Sequence, residues 1–128
     1  MLPRMKNDIM DVIDACIDGT LDKVTLQFED NAAVCVVLAS EGYPVSYEKG
    51  FPITGLENFK DNDGYYCFHA GTKRGGQNIV TNGGRVLGIT AVGATLKEAR
   101  ANAYKAADWV GFDNKYMRND IGKAIDEV

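Results

Sequence analysis

The sequence predicts an α+β domain with a mainly antiparallel sheet flanked by helices. Three observations carry this reading. Apolar residues recur at helical spacing near both ends of the chain, over residues 7–18 and 95–110. The strand-like segments between them are grouped rather than alternated with helices, which argues against a doubly wound parallel sheet. Turn signals such as Asn82–Gly83 lie between apolar flanks, as in hairpins. A chain of 128 residues suits one domain.

The first helix is expected over 7–18. Asn7 is a plausible N-cap, Asp8 and Asp11 suit the dipole, and Gly19 suits the C′ position. Ile9, Val12, Ile13 and Cys16 form one apolar stripe. Residues 24–29 (VTLQFE) alternate in the manner of a strand. The apolar run AAVCVVLA, residues 32–39, suits a central strand buried on both faces. Residues 40–50 read as loop. Residues 64–73 read as a strand, Gly75–Gly76 as a turn, QNIVT as a returning strand, and 85–93 as another strand. Thr95 and Glu98 have the spacing of a capping box, opening a helix to about Val110 that Gly111 stops. Leu96, Ala99, Ala103, Ala106 and Val110 line one face of it.

Composition excludes several functions. The 45% hydrophobic and 25% charged residues are near the averages for globular domains. The net charge of −4 argues against non-specific nucleic-acid binding and against a polybasic membrane surface. No stretch approaches the roughly 20 apolar residues of a membrane span, and the opening MLPRMKND lacks a signal-peptide pattern. Cys16, Cys35 and Cys67 lack CxxC spacing and are expected as buried free thiols in the cytoplasm. With His69 the sole histidine, a zinc site has little support and two-histidine mechanisms are excluded.

The charge is uneven. From Gly64 to Lys97 there is no acid, while Lys73, Arg74, Arg85 and Lys97 are basic. This stretch is either ordinary strand composition or a site for a small anion. Arg85 offers a planar fork of donors that suits phosphate oxygens. The N–H groups of Gly83 and Gly84 could approach an anion without a Cβ in the way. The plain alternative is a hairpin turn followed by a solvated arginine. His69 is either a hydrogen-bonded structural histidine or a ligand contact beside Lys73. A two-residue turn at Asn82–Gly83 would set Lys73 and Arg85 at opposite ends of a meander. A bulge at Gly83–Gly84 in one long strand would bring them closer.

Longer blocks go further. Residues 32–56 (AAVCVVLASEGYPVSYEKGFPITGL), FHAGTK (68–73), VTNGGRVLGITAVGATLKEARANAY (80–104) and RNDIG (118–122) stand in matched order. Together they resemble the C-terminal domain of phosphoribosylamine–glycine ligases, also called glycinamide ribonucleotide synthetases, of the ATP-grasp superfamily. LPRMKND, residues 2–8, looks like the segment leaving the ATP-grasp module. The resemblance implies a rudimentary barrel-sandwich type of sheet, with residues 1–20 as that segment and its helix and 21–128 as the C-terminal domain. It implies a part of the enzyme that joins glycine to 5-phosphoribosylamine in purine synthesis, through a glycyl phosphate. The family signature Arg-Phe-Gly-Asp-Pro-Glu and the magnesium ligands lie upstream in such enzymes, and this chain contains neither. ATP and magnesium or manganese are therefore expected in the full-length enzyme, with no cofactor and no catalytic residue in this chain. The implied partners are the N-terminal and ATP-grasp domains, with phosphoribosylamine and glycine as substrates. Carried over by motif, Lys73 of HAGTK and Arg85 of NGGR are implied phosphate contacts, with Gly83, Gly84 and His69 beside them. The other expectation is a separately encoded, non-catalytic module that binds a phosphorylated small molecule or a partner chain.

Overall fold

The structure, a computed structural model, describes residues 1–127. Its strands are β1 (Ala32–Ser40), β2 (Tyr65–His69), β3 (Thr72–Gly75), β4 (Asn78–Thr81), β5 (Arg85–Gly93) and β6 (Lys115–Tyr116). Its α-helices are α1 (Ile9–Asp18) and α2 (Leu96–Ala107), with short 3-10 turns between. One sheet has the order β2-β5-β1-β6, a second joins β3 to β4, and every pairing is antiparallel. This is the expected α+β architecture, and the sheets do not close into a barrel.

The core forms where α2 lies on one face of the four-stranded sheet. Val36 and Leu38 of β1 meet Leu87, Ile89 and Ala91 of β5 across the ladder, all fully buried. Ala99, Ala103, Ala106 and Ala107 of α2 are also fully buried. Alanine lets the helix backbone approach the strands, so the sheet's larger side chains fill the interface at interior density. The capping box holds α2's start: Glu98 N–H donates to Thr95 Oγ1 at 3.2 Å, and Ala94 N–H to Glu98 Oε2 at 3.3 Å. Phe59, Tyr65 and Trp109 close one side, with centroids 5.4 and 5.0 Å apart.

Several expectations are corrected. Residues 32–39 form a central strand, but one face of it is open, with Cys35 and Val37 exposed. Its lack of polar residues reflects an open apolar face rather than a second covering layer. The thiols are free but not all buried: Cys16 and Cys35 are exposed and Cys67 is half-buried. Residues 24–29 are not a strand; Phe28 makes only an isolated bridge to Met5. No neighbouring strand is offered there, and residues 4–7 take up the backbone instead. Glu29 N–H donates to Arg4 O at 2.6 Å, Lys6 N–H to Gln27 O at 2.8 Å, and Gln27 N–H to Asn7 Oδ1 at 2.7 Å. With Asn7 so engaged, Asp8 caps α1, accepting from Met10 N–H at 2.9 Å. Gly19 ends α1 with φ 69°, as expected.

Helix α2 ends at Ala107 rather than Val110. Lys115 Nζ donates to Ala107 O and Val110 O, both at 2.7 Å, and so closes the helix end. Gly111 does not stop the helix; it pairs with Thr54 through bonds of 2.8 and 3.0 Å. Leu96 is largely exposed rather than on the buried face.

Candidate functional site

The expected strand 64–73 and its return form one long hairpin with an interruption. β2 pairs with β5 from Tyr65–Ala91 to His69–Leu87, and β3 pairs with β4 from Thr72–Thr81 to Gly75–Asn78. The reversal lies at Gly76, with φ 68°, and not at Asn82–Gly83. Between the paired segments, one arm has Ala70 and Gly71 while the other has Asn82 to Val86. The extra length on the second arm is a bulged connection, held where Ala70 and Gly71 N–H both donate to Val86 O at 3.0 Å.

The β1–β5 ladder shifts register at the same place: Leu38 faces Leu87, but Ala39 faces Arg85. Val86 is the extra residue. Side chains alternate faces along a strand, so an unbroken ladder would turn Val86 outward and Arg85 toward α2. The bulge reverses this. Val86 is fully buried, and Arg85 emerges beside Ala39 on the face that α2 does not cover.

Arg85 there lines an open groove of about 420 Å3 with Val37, Ala39, Tyr43, Met117 and Arg118. Among the described residues Arg85 makes no ion pair. Arg118 donates from Nε and Nη2 to the Asp120 carboxylate at 2.9 and 2.6 Å. That hydrogen bond holds the Asp120 carboxyl below its usual range. Helix α2 anchors this segment. Tyr104 Oη donates to Arg118 O at 2.6 Å and accepts from Ile121 N–H at 3.0 Å. Arg100 donates to Ile121 O and Asn119 O at 2.7 and 2.9 Å, with its guanidinium over the Tyr104 ring.

The two glycines before Arg85 have packing reasons. A Cβ at Gly84 would collide with the Tyr43 ring, and one at Gly83 would lie 3.2 Å from Gly71 Cα. Ser40 holds both carbonyls: its N–H donates to Gly84 O and its Oγ to Gly83 O, each at 2.8 Å.

The predicted residues therefore divide. Arg85 reaches the groove and Gly83–Gly84 lead into it. Lys73 pairs with Val80 in the outer sheet and does not line the groove. His69 is exposed at the end of β2, with Nδ1 2.9 Å from Thr72 Oγ1, and does not line it either. Arg118 and Tyr43 were missed, although both stand in the blocks that carry the family resemblance. Among the described residues, no three His, Cys, Asp or Glu side chains converge as a metal site. No helix among them is long and apolar enough to cross a membrane.

Comparison with known proteins gives one answer. The family description "Phosphoribosylglycinamide synthetase, C domain" matches residues 33–124. Phosphoribosylamine–glycine ligase of Caldanaerobacter subterraneus is 46% identical over 121 residues, covering 94% of this chain and 28% of the relative. The bifunctional purine biosynthetic protein purD of Dictyostelium discoideum is 43% identical, covering 100% of this chain and 16% of the relative. The crystal structure of phosphoribosylamine–glycine ligase from Thermotoga maritima superposes with a TM-score of 0.68 at 37% identity, over 85% of this chain and 27% of that one. The chain thus spans 28% of the length of a ligase such as that of Caldanaerobacter. By matched span, identity and fold alike, it belongs to the phosphoribosylglycinamide synthetase C-domain family.

Proposed function

We propose that this chain serves as the C-terminal part of an ATP-dependent ligase joining glycine to 5-phosphoribosylamine, completing the acceptor-substrate side of the active site. In this reading residues 1–20 are the segment and helix leaving the ATP-grasp module and 21–128 are the C-terminal domain. ATP and a magnesium or manganese ion would be held by the ATP-grasp portion, where they would supply the activation of the glycine carboxylate. Among the described residues no three His, Cys, Asp or Glu side chains converge to hold a metal.

The observation that carries the role of this chain is the bulge at Val86, which delivers Arg85 to the open face with no acidic partner among the described residues. An unpaired guanidinium beside an apolar wall is suited to bind and orient a phosphate monoester by two parallel N–H donations. Lys73 and His69 lie outside the groove and Gly83 and Gly84 lead into it, so this reading favours Arg85 as the phosphate contact.

Joined to its ATP-grasp portion, the Arg85→Ala variant is expected to raise KM for phosphoribosylamine about ten- to a hundredfold, the equivalent of about 1.5–3 kcal/mol for a charge-assisted hydrogen bond. KM for ATP and glycine should change little. Equal changes in all three would instead indicate a folding defect. The 128-residue chain by itself should release no phosphate from ATP in the presence of glycine and phosphoribosylamine.

A further inference from the structure

We infer that Asp120 and Tyr104 are positioning residues: they hold the Arg118 guanidinium at the Arg85 groove, so that two guanidiniums from distant parts of the chain grip one phosphate. This rests on the reading of Arg85 as the phosphate contact, and adds a second donor and the residues that aim it. Register brings the two arginines to one face. Arg85 of β5 stands opposite Ala39 of β1, and Ala39 stands opposite Tyr116 of β6. Residues opposite one another on adjacent strands share a face. Arg118 follows Tyr116 by two residues, the spacing that returns a side chain to the same side. It lines the groove with Arg85, Tyr116 and Val37.

Arg118 does not meet the groove as a loose side chain. Asp120 occupies one edge of its guanidinium, accepting from Nε and Nη2. A guanidinium carries five N–H donors in a planar fork, so the edge formed by Nη1 and Nη2 keeps a second pair of donors for an anion. The carboxylate also offsets the repulsion between two like charges beside one groove. The backbone of the same segment is pinned from α2. The Tyr104 hydroxyl bonds both Arg118 O and Ile121 N–H, and so closes residues 118–121 onto the helix. An exposed ion pair contributes little to stability, and the Arg118 side chain is 68% exposed. A bidentate pair on a segment clamped at both ends is therefore best explained by placement. Fixing the side chain before the ligand arrives removes an ordering cost from binding.

The test measures KM in the ligase formed when this chain is joined to its ATP-grasp portion. Arg118→Ala should raise KM for phosphoribosylamine about tenfold or more. Asp120→Ala, a change at an exposed side chain, should raise it about two- to fivefold. Tyr104→Phe removes both hydroxyl bonds, keeps the ring, and should act in the same direction. KM for ATP and for glycine should hold in all three variants. In an Arg118→Ala background neither Asp120→Ala nor Tyr104→Phe should raise KM further. Additive losses there would mean that the two residues act on something other than Arg118, and would overturn the proposal. A fall in KM on removing Asp120 would mark a carboxylate that competes with the substrate's phosphate, and would overturn it as well. The two readings fail separately. If Arg85→Ala raises KM and Arg118→Ala does not, the positioning proposal is wrong and the Arg85 contact stands. If Arg118→Ala raises KM and Arg85→Ala does not, the Arg85 contact is wrong and the positioning of Arg118 stands.

Discussion

The two α-helices have opposite fates. Helix α1 is the more apolar, yet Ala15 is its one buried residue, while Ile9, Met10, Ile13 and Ile17 are exposed. Helix α2 carries four charged residues and buries four alanines at the centre of the molecule. An apolar stripe records that a helix has a partner; it does not record that the partner is in the same chain. What seats α2 is close approach: small side chains on the helix and large ones on β1 and β5. Residues 1–29 hold together mainly by local backbone bonds, with the Arg4 guanidinium tied to Glu29 O and Asn31 Oδ1. The module beginning at Ala32 has a core of its own.

This contrast can be broken by mutation. The largest effect is expected from Leu87→Ala, which empties a fully buried site facing Leu38. It should cost about 2–5 kcal/mol in urea unfolding. Ile13→Ala on α1 should stay within about 0.5 kcal/mol in the 128-residue chain. Comparable losses at the two positions would mean that α1 is packed in solution after all.

Next is Lys115→Ala, which removes a charged donor from two carbonyls at the end of α2. It should destabilise by about 1.5–3 kcal/mol. Thr95→Ala, which removes the α2 cap, should cost about 1 kcal/mol. Asp8→Ala removes the matching cap of α1 and should loosen that helix locally, lowering helical circular dichroism more than the main unfolding midpoint.

The smallest effect is a pH dependence. Burial pushes the Cys67 thiol up from 9.0 to about 11. The folded state therefore holds this proton between pH 9 and 11, where the unfolded state has released it. Stability conferred by the neutral thiol is complete below about pH 9 and is lost as pH rises toward 11. Cys67→Ala should flatten that part of the stability profile relative to the parent chain.

Both helices, the central strand and the strand 85–93 were legible in the sequence, because each is marked by local periodicity and caps. Residues 24–29 show why alternation alone is insufficient: Val24, Leu26 and Phe28 alternate well, but a strand also requires a neighbour with free backbone groups. The glycines were legible as special, but their packing against the Tyr43 ring and Gly71 was not, because those partners are distant in sequence. Arg85 was singled out through its chemistry, and it lines the groove. Whether Lys73 would line the same groove stayed open in the sequence, because it depends on whether Gly83–Gly84 turns or bulges the chain. Arg118 lay in a quoted motif but carried no local sign that it would share a groove with Arg85.

The bulge at Val86 makes β5 a matter of counting. A strand assigns faces by odd and even position, so one added or lost residue exchanges inside and outside for everything beyond it. Val86 is where the odd residue is absorbed. Deleting Val86 would leave Arg85 opposite Ala39 and facing the same way, at the expense of one core side chain. A residue lost between Leu87 and Gly93 would instead break the match between the two ends of β5. Either the core leucine and isoleucine or the guanidinium would then be on the wrong side of the sheet, and an unpaired buried guanidinium costs several kcal/mol. Changes of length in this strand are therefore expected to be confined to position 86 among functional relatives, while substitutions elsewhere in it need only respect parity.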